Sequence, residues 1–133
     1  IWINPAGGVN MVPVDYVSRA IVASSIHDHN EINICTPDSV RHIDWMSKLL
    51  ERVGVFDYSF VSTKPSCTLN RTETLFYRTV HKAMGPYVCC SPVRYLTDRL
   101  QETLGEHKPP DVLAHLDSLI DFAIERRFVP DSP

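Results

Sequence analysis

Several groups of side chains in this chain are of types that do chemistry. His27-Asp28-His29 offers two imidazoles and a carboxylate within three residues. A bound metal needs further donors, but the two histidines stand two apart with no Cys or His at ligand spacing, so the run reads as a solvated loop. Cys67 and the adjacent Cys89-Cys90 could be nucleophiles if a base or a helix N-terminus lowered a thiol pKa. Cys89-Cys90 precedes Ser91-Pro92, a helix-start signal, and His81 could lie near. The favoured reading of all three thiols is packing. Asp15 could be catalytic, yet beside Pro13 at a helix start it reads as a cap or a partner of the helix dipole. Arg71, Arg78, Lys82, Arg94 and Arg99 are cations on polar faces, and arginine pairs well with phosphate. The competing reading is a solvated face balanced by Glu73, Asp98 and Glu102. Tyr77 and Tyr87 could line an apolar channel with Trp45 and Phe76, although the last two read as core.

The bulk composition narrows the class. The chain has 133 residues and 15.1 kDa, which suits a single domain over residues 1–133. At 44% hydrophobic and 22% charged it can bury a core, which excludes disordered and fibrous chains. A formal charge of -3 gives no electrostatic case for nucleic acid. No apolar stretch approaches the roughly 20 residues of a membrane span. Four cysteines without a Cys-x-x-Cys read as reduced thiols, mostly buried, in a cytoplasmic protein. The start at Ile1-Trp2-Ile3, without an initiator Met or signal-peptide character, reads as a piece of a longer polypeptide.

The elements that position these residues follow from periodicity. Residues Val9 to Val14 read as a short strand broken by Pro13. A helix starting at Asp15 carries Val14, Val17, Ile21 and Val22 as its stripe, with Ala20 and Ala23 filling in, and fades at His27-Asp28-His29-Asn30. Glu31 to Thr36 alternates as a strand with Ile32 and Ile34 on one face. Ile43, Met46, Leu49, Leu50 and Val53 form a helix ending in a left-handed cap at Gly54, and Tyr58 to Val61 is another short strand. Asn70-Arg71-Thr72 reads as a helix start rather than a glycan acceptor. Leu75, Phe76, Thr79, Val80 and Ala83 then form a stripe closed by Gly85-Pro86. Ser91-Pro92 opens a helix with Val93, Leu96, Leu100 and Leu104 that ends at Gly105. Pro109-Pro110-Asp111 opens the last, with Val112, Leu113, Leu116, Leu119, Ile120 and Ala123. The class is α/β, dominated by helices. Its strands are too few for a self-standing open sheet and are expected to lie beside a larger one.

The segment Val9-Asn10-Met11-Val12-Pro13-Val14-Asp15-Tyr16-Val17-Ser18-Arg19-Ala20-Ile21-Val22 resembles the Pro-Val-Asp segment of extended short-chain dehydrogenases/reductases of the thioester-reductase type. These include the reductive release domains of polyketide and nonribosomal peptide synthetases and the carboxylic acid and aminoadipate reductases. The strand and Gly-terminated helix that follow are similar to that family's order. So is the closing run from Tyr95-Leu96 through Gly105 and Pro109-Pro110 to Arg127-Phe128-Val129-Pro130. The resemblance implies the C-terminal substrate-binding portion of a Rossmann-like reductase. It implies NADPH in the parent enzyme and none bound by this portion. The implied partner is an acyl or peptidyl carrier protein bearing a phosphopantetheine-linked substrate, with neither nucleic acid nor membrane. Asn10 and Met11 would border the substrate channel, and Arg78, Lys82 and Arg94 would dock the carrier. The catalytic parts are missing from these residues. Gly7-Gly8 has no third glycine at nucleotide-motif spacing. Tyr16, Tyr77, Tyr87 and Tyr95 are followed four residues on by Ala20, His81, Ser91 and Arg99, never by the Lys of a Tyr-x-x-x-Lys. Within the same fold, a fatty acyl-CoA reductase or a nucleotide-sugar epimerase is the alternative; outside it, a non-catalytic interaction module.

Overall fold

Among the described residues, apolar patterning and end signals build six helices and one sheet of two very short strands. The structure, a computed structural model, describes residues 1–27 and 31–126. Asp28, His29 and Asn30, and the closing Arg127-Phe128-Val129-Pro130, lie outside the described residues. The chain divides into two compact units, Ile1–Val9 with Arg41–Pro92 and Asn10–Val40 with Val93–Pro133. Strand β1 (Gly8–Val9) pairs with β2 (Val40–Arg41). None of the described helices is long and apolar enough to cross a membrane.

The second unit is organised by α1 (Val14–Ser24) against α5 (Asp98–Leu104). Its core is Tyr16, Ala20, Leu100 and Leu104, surrounded by Val12, Ala23, Ile32 and Ile34. This corrects the face of α1 expected from its sequence: Val14, Ile21 and Val22 are exposed. At about 100° per residue, Tyr16, Ala20 and Ala23 lie on the side opposite Val14 and Ile21. The segment therefore carries two apolar faces, and α5 packs on the one where the small Ala20 permits close approach. Of the expected Val9–Val14 strand only Val9 belongs to β1, and Pro13 instead stands at the N-cap of α1, its carbonyl accepting from Val17 at 3.1 Å. Asp15 lies in the first turn, where its charge suits the dipole. It makes no capping bond, and it stands 4.0 Å from Arg19.

Residues Glu31 to Thr36 do not form the expected strand, because no ladder partner faces them among the described residues. Their alternation survives as far as Ile34, with Ile32 and Ile34 turned to the core and Glu31 and Asn33 exposed, and ends where Cys35 and Thr36 are both buried. Side chains replace the ladder. Asn10 accepts the Thr36 N–H at 3.0 Å and donates to the Thr36 carbonyl at 2.8 Å, while Arg99 donates to the Glu31 carbonyl at 3.0 Å.

Helix α5 starts at Asp98, not at Ser91-Pro92, and its N-cap Thr97 makes no capping bond, its hydroxyl instead accepting from the Gln101 side-chain amide at 3.3 Å. Leu100 and Leu104 have α1 to pack on, whereas Val93 and Leu96 are exposed, so the earlier turns gain nothing from helix formation. It ends at Gly105, whose φ of +59° only glycine adopts without strain. Helix α6 (Val112–Glu125) begins as expected, with Asp111 accepting from the N–H groups of Leu113 and Ala114 at 3.0 and 3.4 Å. It buries Val112, Leu116 and Ile120, a narrower stripe than expected, with Leu119 exposed.

In the first unit, α2 (His42–Arg52) ends in the expected left-handed cap. Gly54 has a φ of +79°, its N–H donates to Glu51 at 3.1 Å and that of Val55 to Leu50 at 2.8 Å, a Schellman motif. At the other end, Arg41 grips Asp44 through two bonds of 2.8 and 2.7 Å. The expected strand over Tyr58 to Val61 shrinks to a single parallel bridge between Trp2 and Val61, carried by Ile3 N–H to Val61 O at 3.0 Å and Val61 N–H to Ile1 O at 2.9 Å. Helix α3 (Arg71–Arg78) opens on a capping box, with Asn70 accepting from the Glu73 N–H at 2.8 Å and Glu73 accepting from the Asn70 N–H at 2.7 Å. We expect Asn70→Ala to lower stability by about 1 kcal/mol, measured by urea unfolding.

Helix α4 (Val80–Val88) runs through Gly85-Pro86, which the sequence marks as a stop. The break falls instead at Thr79, with φ -109° and ψ -82°. Pro86 removes one helical N–H, but burial of His81, Gly85 and Val88 along one side of α4 outweighs that loss.

His42 is almost fully buried, and its Nδ1 accepts the Trp45 indole N–H at 3.2 Å. The proton of the neutral ring therefore sits on Nε2, a buried atom without a hydrogen-bond partner among the described residues. Burial lowers the His42 pKa, opposed in part by the Tyr87 backbone. A second proton would enter at Nδ1, against the indole donor. With the folded pKa below the unfolded one, the unfolded state takes up the proton first. Stability is therefore intact above the ordinary histidine range of about 6.5 and declines as pH falls through it toward the folded value. Thermal melts between neutral and mildly acidic pH should show this slope, and His42→Gln, which keeps an acceptor for Trp45, should flatten it.

Candidate functional site

Among the described residues, chemically capable side chains come together in each unit. In the first unit, α4 and the N-terminal strand segment assemble an aromatic nest around His81. Trp2 stacks on its ring at 5.2 Å between centroids, and Tyr77 and Phe76 tilt against it at 5.0 and 6.1 Å. The Trp2 N–H donates to the Tyr77 hydroxyl at 3.1 Å. Cys89 brings its sulfur to 3.8 Å from His81 Nε2, the pairing that a thiol nucleophile needs. The other partners of both groups cancel it. His81 Nε2 lies 3.0 Å from the Trp2 carbonyl, which can only accept, so that nitrogen carries the proton and is no base for the thiol. The Cys89 thiol donates to the same carbonyl at 3.6 Å, and burial pushes its pKa up, reinforced by Cys90. The nest is a packing device, in line with the sequence reading of Cys89. Cys90 is exposed and donates to the Tyr87 carbonyl at 2.9 Å, and Cys67 is exposed as well, which corrects the expectation of mostly buried thiols.

In the second unit, α1 and α5 form the walls of two grooves that share Leu104 and His107. The larger, about 480 Å³, is lined by Tyr16, Pro37, Thr97, Leu100 and Gln101, and by the turn from Gly105 to Pro109. The other, about 470 Å³, runs past Ser18, Arg19, Val22, Ala23 and Thr103. The volumes suit a small ligand or an acyl chain, and the walls are mainly apolar with a few polar groups. Tyr16 is held protonated, its pKa raised by burial and then by Cys35, whose own thiol burial also raises. The hydroxyls of Ser18 and Thr103 in the second lining donate to the Val14 and Arg99 carbonyls at 2.8 and 2.7 Å, and His107 Nδ1 lies 3.2 Å from the Leu104 carbonyl.

The residues singled out from the sequence are dispersed. Asn10 is taken up by the Thr36 backbone and Met11 is half-buried, and neither lines these grooves. Arg78 and Lys82 are exposed on the α3–α4 pair of the first unit, and Arg94 is exposed in the second. Trp45 is half-buried on His42, Phe76 is half-buried in the aromatic nest, and Tyr87 is exposed. The sequence reading missed the groove-lining roles of Tyr16 and His107. Tyr16 was legible as the one large side chain on the Ala20 side of α1. His107 had no signal, because the turn after Gly105 places it.

Comparison with protein-family models, with characterised proteins and with solved structures finds no match to this chain.

Proposed function

We propose that this chain is the substrate-binding portion of an NADPH-dependent reductase that releases a carrier-bound acyl thioester as an aldehyde or alcohol. The observation that carries the reading is the apolar groove walled by α1, the helix grown from the Pro13-Val14-Asp15 segment, and by α5. Pro37, Pro109 and the edges of Tyr16 and Leu104 offer an acyl chain a surface that water leaves readily, and the exposed Gln101 offers a polar contact. Apolar walls favour an acyl substrate over a nucleotide sugar, whose hydroxyls need many polar partners.

These residues do not fit the cofactor. Gly7, in the single Gly-Gly pair, is closed by the His42 ring, which a Cβ there would meet at 3.0 Å, so it cradles no pyrophosphate. In this reading NADPH and the proton donor belong to another part of the same polypeptide, and the role of the present residues is to hold the acyl chain and exclude water.

The test is an assay of the polypeptide that carries this chain, given an acyl thioester on its carrier protein. NADPH oxidation is expected, and Gln101→Trp, which fills the groove, should raise KM for long acyl chains more than for acetyl. Failure to oxidise NADPH with any acyl thioester would sink the proposal.

A further inference from the structure

Charge is unevenly distributed along this acidic chain. Between Lys64 and Pro92 stand Lys64, Arg71, Arg78 and Lys82 against a single carboxylate, Glu73, which is engaged by the Asn70 N–H at 2.7 Å. From Thr74 to Thr97 there is no Asp or Glu at all. The same stretch leaves apolar side chains uncovered. On α3, Arg71, Leu75 and Arg78 share a face at i, i+4 and i+7, and Leu75 is 62% exposed. On α4, Val80, Met84 and Tyr87 repeat that spacing and are 52%, 44% and 69% exposed, while His81, Gly85 and Val88 fill the buried side.

We infer that the α3–α4 pair of the first unit is a docking surface for an acidic, amphipathic helix of a partner protein. The apolar stripe of α4 is one helix wide, with the deformable Met84 at its centre. Arg71, Arg78 and Lys82 make no ion pair among the described residues, so their charge is free for carboxylates on a partner. Complementary charge steers such a partner and fixes its register, while the apolar anchors hold it. Charge and exposure define this surface. It rests on the reductase reading only in taking a carrier protein as the partner.

The test uses the full polypeptide with holo acyl carrier protein as the acidic helical probe, followed by fluorescence anisotropy. Affinity should fall as salt rises. Arg78→Glu and Met84→Glu, both at exposed positions, should each weaken binding tenfold or more, while Arg126→Glu, the same charge change at an exposed position of the other unit outside both grooves, should leave it unchanged. Turnover of a diffusible acyl thioester should be unaffected by the two α3–α4 variants, and turnover of the carrier-bound thioester should drop. Equal binding by all three variants overturns the inference. So does a Met84-dependent capture of anionic vesicles, or a Met84-dependent self-association, in place of carrier binding. Carrier binding that depends on Arg78 and Met84 without any NADPH turnover upholds the surface and removes the reductase reading.

Discussion

Leu100→Ala should lower the unfolding free energy of the second unit by about 3 kcal/mol, within the 2–5 kcal/mol of comparable core truncations. Leu100 is one of two large side chains in the described residues with essentially no exposed surface, and it packs with Tyr16, Ala20 and Leu104. The cost combines lost apolar transfer with the void left behind. That void cannot close easily, since Tyr16 and Ala20 are fixed on α1 and Leu104 lies one turn along the same helix. Leu100 also lines the larger groove, so the void should open into it and weaken selection among acyl chains as well as stability. Amide hydrogen exchange at Ala20 and Leu104 would read the loss locally, and Leu100→Met should keep most of the stability, costing less than about 1.5 kcal/mol. A loss below about 1 kcal/mol for the alanine variant would show that α1 and α5 do not share this core.

Gly85→Ala should be destabilising by about 1–3 kcal/mol, against the sign that helix propensity gives. In an exposed helix interior the same change stabilises by about 1 kcal/mol. Here an added methyl would stand 2.9 Å from two atoms of the His81 ring, one turn earlier on α4. The ring has no open space to move into, because it is buried, stacked on Trp2 and bonded to the Trp2 carbonyl at 3.0 Å. Displacing it would also strip the Cys89 thiol of a neighbour. Both tryptophans lie in the first unit, so the intrinsic fluorescence of Trp2 reports the change directly. An unchanged or raised unfolding midpoint would mean that His81 does not occupy the notch above Gly85.

Local chemistry explains which features could be read from the chain. Asn70 and Glu73 form their capping box within four residues, Asp111 caps α6 through its own neighbours, and Gly54 closes α2 with bonds that reach back no further than Leu50. Such interactions depend on sequence separations of a few residues, so residue type and spacing predict them. The helix-dominated α/β class followed for the same reason. The expectations that failed needed a distant partner. Glu31 to Thr36 has the alternation of a strand but meets the side chain of Asn10, 26 residues away, instead of a neighbouring strand. Ser91-Pro92 has the residues of a helix start, but the helix waits until Leu100 has α1 to pack on.

The amino-acid order thus determined where helices can begin and end, how charge is apportioned, and that the Gly-rich and Tyr-x-x-x-Lys machinery is missing from these 133 residues. Tertiary structure alone decided which of two apolar faces of α1 is buried. It also decided that His81 Nε2 spends its proton on a carbonyl rather than serving Cys89, and that Tyr16 and His107 line the grooves. The physical reason is common to all three. A helix face, a tautomer and a groove each depend on what an element packs against, and that partner lies tens of residues away, beyond the reach of local spacing.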